Sequence, residues 1–193
     1  KARKDLNEEA VVLLRSLLDD RESTLGPHHP YTLQTAGTLG AVLANSGNLA
    51  EAEPCFQRVY EGQLRTIGAE HPNTLVTLTN LGNMQMEQGK VELAEASAQM
   101  ALAIALRTRG TEDQYTHGLQ RLMARVLMSK GEFEEAQKLA KQAVDGSVLV
   151  FGEKSGPTHL SLDMLRQVQV AKGDVESAAA TQARMNRIYP EDP

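Results

Sequence analysis

Five histidines and a single cysteine are the residues of this 193-residue chain best suited to hold a metal or act as nucleophiles. Their placement argues against both. His29 and His71 lie 42 residues apart and each precedes a proline, with His28 beside the first of them; His-Pro at the mouth of an apolar periodic stretch marks a helix start, not a ligand set. His117 and His159 are also 42 residues apart. On stacked helices that interval separates them by about 10 Å, the usual interaxial distance, which is long for a shared metal. Cys55 stands beside Phe56 on an apolar stripe and reads as a small buried apolar residue. No HExxH, CxxC, Walker loop or GxSxG occurs, so the expectation is a protein that is not an enzyme and has no metal and no cofactor.

The interval between the histidines belongs to the whole chain. Gly47, Gly89, Gly131 and Gly173, Ala52, Ala94, Ala136 and Ala178, Thr32, Thr74, Thr116 and Thr158, and Gly26, Gly68, Gly110 and Gly152 form four columns spaced by 42 residues without insertion or deletion. Such a period signals stacked supersecondary units that bury their apolar faces only against neighbours. The units run over 26–67, 68–109, 110–151 and 152–193, preceded at 1–25 by the second helix of an incomplete repeat, and the expectation is one array over 1–193.

Each unit carries two helical stripes broken by a glycine turn. In the second unit Leu75, Leu78, Leu81 and Met84 recur at intervals of three before Gln88 and Gly89, and Val91, Ala94, Ala98, Ala101, Leu102 and Ala105 resume the rhythm afterwards. First helices are predicted near 30–46, 72–88, 113–130 and 156–172, second helices near 49–67, 91–108, 133–151 and 174–189, and a further second helix from Leu6 to Leu25. Asp113 and Ser155 occupy the histidine position in later units as N-caps, the threonines are placed to accept first-turn N–H groups, and Asn48 and Asp174 suit the caps of second helices.

Composition fits this reading: 41% hydrophobic, 4% aromatic, no tryptophan and a formal net charge of -5. Scattered rather than clustered lysine and arginine disfavour nucleic acid as a partner. A lone cysteine precludes an internal disulfide and points to a reducing, intracellular and cytoplasmic setting. No apolar run approaches a membrane span, so no direct membrane insertion is expected, and Lys1 to Asn7 lacks the order of a signal peptide. A start at Lys1 rather than methionine is what a fragment or a mature form would have.

The segments LGPHHPYTL, IGAEHPNTLVTLTNLGNMQMEQGKVELAEA and KGEFEEA, with Leu39, Gly40, Gly47 and Ala52 and again Leu81, Gly82, Gly89 and Ala94 at signature offsets, make the chain resemble the tetratricopeptide repeat family in its 42-residue, kinesin-light-chain-like form. Units three and four depart from the pattern, with Ala124 and Arg166 at the small glycine and Gln114 in place of the proline. The resemblance implies an all-α, right-handed superhelical solenoid of antiparallel helix pairs. It also implies a non-catalytic role in binding a partner's peptide or helix in a concave groove lined by first helices. The other roles it allows are a structural subunit of a large complex and the sensor or cargo segment of a larger signalling ATPase or motor-associated protein.

Carried onto this sequence, the groove positions are Gln34, Thr38, Ala41 and Asn45, then Val76, Asn80, Asn83 and Glu87, then Arg121, Leu122 and Arg125, then Leu160, Met164 and Gln167. The asparagines each bring a donor and an acceptor, suited to an extended peptide backbone. Arg121 and Arg125, one helical turn apart, suit an acidic side chain or a terminal carboxylate. The family's chaperone-tail clamp needs lysine, asparagine and arginine where this chain has Gly37, Ala41, Gly118 and Leu122, so that subtype is not expected. The remaining methionines, Met84, Met86, Met123 and Met128, read as core filler.

Overall fold

Local rules start every first helix of the repeats. His29 and His71 hold extended backbone conformations, and their Nδ1 atoms accept the N–H of Tyr31 at 3.2 Å and of Asn73 at 3.1 Å. Nδ1 is the accepting ring atom in both caps, which leaves Nε2 as the ring's other hydrogen-bonding atom. Asp113 Oδ1 and Ser155 Oγ accept N–H groups from Tyr115 at 3.0 Å and Thr158 at 3.3 Å at the equivalent positions. The computed structural model describes residues 2–189, with side chains from Leu6 onward. Its regular elements there are α1 (Ala2–Leu25), α2 (Pro30–Asn45), α3 (Leu49–Thr66), α4 (Pro72–Glu87), α5 (Val91–Arg109), α6 (Gln114–Ser129), α7 (Phe133–Phe151), α8 (Gly156–Lys172) and α9 (Val175–Ile188). No strand occurs among the described residues.

Two readings of the caps need correction. The threonine column does not accept first-turn N–H groups: Thr74, Thr116 and Thr158 donate, each at 2.8 Å, to the carbonyls of Gly68, Gly110 and Gly152, six residues upstream. Their side chains are completely buried, where a hydroxyl proton finds its best acceptor in the loop carbonyl folded back over it. Thr32 donates instead to the Arg21 carbonyl at 3.3 Å. Asn48 caps no N–H; its amide donates to Glu51 within the first turn. Asp174 does cap, accepting from Ser177 N–H at 3.1 Å. The loop glycine has its own requirement, since Gly152 sits at φ 81, ψ 166, a region essentially reserved for glycine.

The chain falls into two compact units, Lys1–Lys90 and Val91–Pro193. In the first, α2 packs on both α1 and α3, and α3 on α4. Leu39, Leu43, Ala52, Phe56, Leu81 and Met84 form its core, with Val11, Leu14 and Leu18 of α1 against it. Close approach of α2 and α3 depends on Gly40: a Cβ there would lie 3.0 Å from the Cys55 Cβ and 3.1 Å from the Phe56 ring. Cys55 is half-buried rather than fully buried, its thiol donates to the Glu51 carbonyl at 3.4 Å, and burial raises its pKa. In the second unit α6 packs on α5, α7 and α8, and α8 on α7 and α9. Its alanines carry the contact, Ala124, Ala136, Ala140 and Ala143 all being fully buried. The methyl of Ala124 is matched by alanine in the Phe56 column, at Ala140.

One packing device occurs in both units. A Cβ on Gly62 would meet the Leu33 side chain at 2.6 Å, and a Cβ on Gly146 would meet His117 Nε2 at 2.0 Å. Leu33 and His117 belong to one column, Gly62 and Gly146 to another. A large side chain on a first helix therefore sits directly on a glycine of its second helix.

Polar ties join each repeat to its predecessor, and the Arg184–Glu153 fork ties the last repeat to its own opening loop. Arg15 pairs with Glu51, Arg58 with Glu22 and Lys90 with Glu53 in the first unit, where Gln88 also donates to the Leu49 carbonyl at 3.1 Å. In the second unit Lys130 reaches Glu95 at 2.7 Å, Lys172 reaches Glu134 at 2.9 Å, and Arg184 forks onto Glu153 at 2.9 and 3.0 Å. Solvent-exposed pairs of this kind contribute about 0–1 kcal/mol each, so they help set register more than they hold the fold.

His117 is wholly buried, with Nε2 3.0 Å from the Thr111 carbonyl and Nδ1 unpartnered among the described residues. Gly146→Ala drives a methyl into its ring. Overpacking of about 1–3 kcal/mol exceeds the helix-propensity gain of at most about 1 kcal/mol, so urea denaturation will show net loss, and His117→Ala combined with it will cost less than the sum of the single changes. Burial, with a smaller contribution from Arg121, holds the His117 pKa below the usual imidazole value. The unfolded chain then binds the proton more readily, so stability fully present above the unfolded pKa of about 6.5 is lost progressively as pH falls below it and through the depressed folded value. Melting temperature between pH 8 and 5 will fall less steeply in His117→Leu, the residue that Leu33 and Leu75 supply in the same column.

Candidate functional site

An exposed stripe runs along α2 and α4, on the side opposite their buried threonines and leucines. On α2 it holds Tyr31, Gln34, Thr38, Ala41 and Asn45, all exposed. Tyr31 escapes the sequence reading, although its spacing of three from Gln34 is the available signal. Arg21 of α1 lies over its ring, 5.5 Å from the centroid, and donates to its carbonyl at 2.8 Å and to Thr35 Oγ1 at 2.7 Å. This presents a fixed aromatic surface at the head of the stripe. Thr38 is partly committed, its hydroxyl donating to the Gln34 carbonyl at 3.0 Å.

The α4 stripe is Asn73, Val76, Asn80, Asn83 and Glu87. Val76, Asn80 and Glu87 are exposed and Asn83 is half-buried. Neither Asn80 nor Asn83 has a side-chain partner among the described residues, so four donor hydrogens and both amide oxygens face outward unspent. The surface of the first unit is thus neutral and rich in amides, with Glu87 at the end of α4.

The second unit is built differently. Positions 38, 80, 122 and 164 form one column, and it changes from exposed Thr38 and Asn80 to Leu122 and Met164, 1% and 7% exposed. Leu122 and Met164 offer a partner almost nothing, which corrects their reading as groove residues. The reason is helical phase: Leu119, Leu122 and Val126, and Ser161, Met164, Leu165 and Val168, fall on the buried faces of α6 and α8, which pack on each other. Of the expected groove positions on α8, Leu160, 57% exposed, and Gln167, whose amide donates to Asp163 at 2.7 Å, remain outside. Asp163 is also paired with Arg166 at 2.8 Å.

Arg121 and Arg125 lie on the same side of α6, both half-buried. Arg121 Nη1 donates to Ser161 Oγ at 3.3 Å across to α8. Ser161 gives its own proton to the Pro157 carbonyl at 2.9 Å, so Ser147, 2.9 Å away, is the donor of that hydroxyl pair. The guanidinium therefore rests on a neutral oxygen, and burial alone lowers its pKa. Arg125 makes no ion pair among the described residues. The two cations form an anion-accepting edge one helical turn long.

The remaining candidates are structural. His117 is enclosed as described, and His159 packs edge-on against Tyr189 with ring centroids 4.6 Å apart. The Tyr189 hydroxyl donates to the Ser155 carbonyl, tying the end of α9 to the start of α8. Among the described residues no group of three or more histidine, cysteine, aspartate or glutamate side chains is placed to hold a metal ion, and no helix is long and apolar enough to cross a membrane.

Solved structures share this architecture. Nearly identical TPR-like repeats of a kinesin light chain-like protein from Podosopora anserina, in a single-substitution form, superpose with a TM-score of 0.78 at 24% identity, over 97% of this chain and 92% of theirs. BtubC (BKLC) from P. vanneervenii gives a TM-score of 0.77 at 19% identity, over 97% of this chain and 77% of its own. MamA from Desulfovibrio magneticus RS-1 gives 0.59 at 16% identity, over 94% and 98%. At these identities the likeness is one of fold. No curated protein matches the sequence. The tetratricopeptide repeat profile matches residues 1–61 and 34–107, more than half the chain. With its period, its capped helix pairs and its glycine turns, the chain belongs to the tetratricopeptide repeat family, whose fold is a protein–protein interaction module.

Proposed function

We propose that the first-helix surfaces take segments of protein partners without catalysis, and that the edge formed by Arg121 and Arg125 takes an acidic one. The observation that carries this reading is the desolvated Arg121 guanidinium held by a serine hydroxyl, with the unpaired Arg125 a turn away. A partly buried cation without a counter-charge is a cost to the fold. A carboxylate arriving from a partner offsets that cost and gains charge-assisted hydrogen bonds. In the first unit Asn80 and Asn83 suit a peptide backbone, which presents alternating donors and acceptors whatever its sequence.

Stability and binding should separate at Arg121. Arg121→Met removes the unpaired charge and keeps the apolar stem, so the melting temperature will hold or rise while affinity for an acidic peptide falls. Arg125→Glu will weaken the same peptide by more than tenfold and flatten the salt dependence of binding, whereas Lys138→Glu on exposed α7 will change neither. Fluorescence polarisation with acidic peptides and their amide counterparts reads both effects. Equal affinity for the two peptides would remove the case for an acidic partner.

Asn80→Ala and Asn83→Ala will each lose about 1 kcal/mol of binding to a partner that pairs with them, roughly a fivefold change, with the circular dichroism spectrum unaltered. Isothermal titration with a partner selected on the immobilised chain is the measurement.

A further inference from the structure

We propose that the edge formed by Arg121 and Arg125 takes a phosphomonoester carried by the partner segment, a phosphorylated side chain rather than a plain aspartate or glutamate; this rests on the acidic-partner reading above and deepens it. The two arginines are the charged residues of α6, which carries no acidic residue, and their spacing of four puts them on one face. Acidic groups that could answer them are engaged elsewhere. Asp113 pairs with Arg109 at 3.1 Å, while Asp163, one period after Arg121, accepts from Arg166 at 2.8 Å and from Gln167 at 2.7 Å on its two oxygens. Ser161 brings no charge, and its oxygen already takes the Ser147 proton as well as the Arg121 N–H. One carboxylate from a partner would bring a single negative charge and leave one guanidinium unanswered. A phosphomonoester brings about −1.5 to −2 at neutral pH with three strong acceptor oxygens, which matches both the charge and the forked donors.

A tetrahedral group also needs room over the guanidinium, and Gly118 supplies it. The other members of its column are Gln34, Val76 and Leu160. A glycine inside a helix weakens it, and at Gly40, Gly62 and Gly146 close packing demands one, because Phe56, Leu33 and His117 sit directly on the bare backbone. Position 118 is under no such demand. A Cβ there would have one contact within 4 Å among the described residues, Arg121 Nη2 at 3.8 Å. The guanidinium thus lies beside bare backbone, open where the other repeats carry a side chain.

The probes are three fluorescent peptide mixtures, with flanks randomised without acidic residues around one fixed central residue: phosphoserine, aspartate or serine. The expected result is that the intact chain binds the phosphoserine mixture at least about tenfold more tightly than the aspartate mixture, and the serine mixture most weakly. Arg121→Met and Arg125→Glu will each weaken the phosphoserine mixture by about tenfold or more. Gly118→Leu, which installs the residue found at position 160, will weaken it similarly while the melting temperature holds or rises, since leucine is the better helix former. Circular dichroism verifies that the variants fold. Equal binding of the phosphoserine and aspartate mixtures would overturn the phosphate inference and leave the acidic-partner reading standing, whereas three mixtures bound alike would remove both. Binding that ignores all three substitutions would overturn the inference as well. So would full displacement of the peptide by inorganic phosphate at the peptide's own Kd, because the free anion would then be the ligand.

Discussion

A single hydrogen bond, from a buried threonine hydroxyl to the carbonyl of the loop glycine six residues before it, sets the geometry on which three of the four repeat junctions depend. It recurs at 2.8 Å in three consecutive junctions. The loop glycine takes a backbone conformation that other residues avoid, and its carbonyl then points at the first turn of the next helix. The hydroxyl satisfies an acceptor that burial would otherwise leave costly, while the cap residue, whether histidine, aspartate or serine, satisfies a first-turn donor. Clamped from both sides, α4, α6 and α8 start at the same place in the period, as α2 also does. The caps and turns that open the first helices therefore hold the same offsets in every repeat.

That regularity is why so much is legible in the residues alone. Helix limits agree with the period to about one residue at most ends, the capping role of Asp113, Ser155 and Asp174 is as expected, His29 and His71 stand at helix starts, and the alanine column is buried. The misjudged features share a physical cause. A threonine hydroxyl is both donor and acceptor, and which it uses depends on where a loop carbonyl folds, information that lies in tertiary geometry. Period assigns Leu122 and Met164 to the column of Thr38 and Asn80, yet the packing of α6 on α8 turns that column inward. Their apolar identity is the signal against exposure. Tyr31 escapes because its outward setting depends on Arg21 of the preceding helix, a tertiary contact that spacing does not reveal.

The two units present contrasting chemistry on equivalent elements. Along α2 and α4 the outward positions carry amides, a hydroxyl and an aromatic ring beside Ala41, Val76 and Glu87. Along α6 two half-buried guanidinium groups take their place, one of them resting on Ser161, because the column beside them has been drawn into the core. A desolvated cation is eased by a group that brings it a negative charge, whereas an amide is indifferent to charge.

The seating of His117 on Gly146 imposes an order on change. Gly146 can acquire a side chain only after the ring above it has been lost, whereas His117 can be replaced by leucine without any prior event, since Leu33 already occupies the same seat over Gly62. Substitutions in this pair therefore do not commute. Of the two routes from histidine over glycine to a smaller residue over alanine, one passes through an overpacked intermediate and the other through a cavity. A library that randomises Gly146 alone samples only the overpacked route, while one that first exchanges the histidine for a smaller side chain opens the space above the glycine.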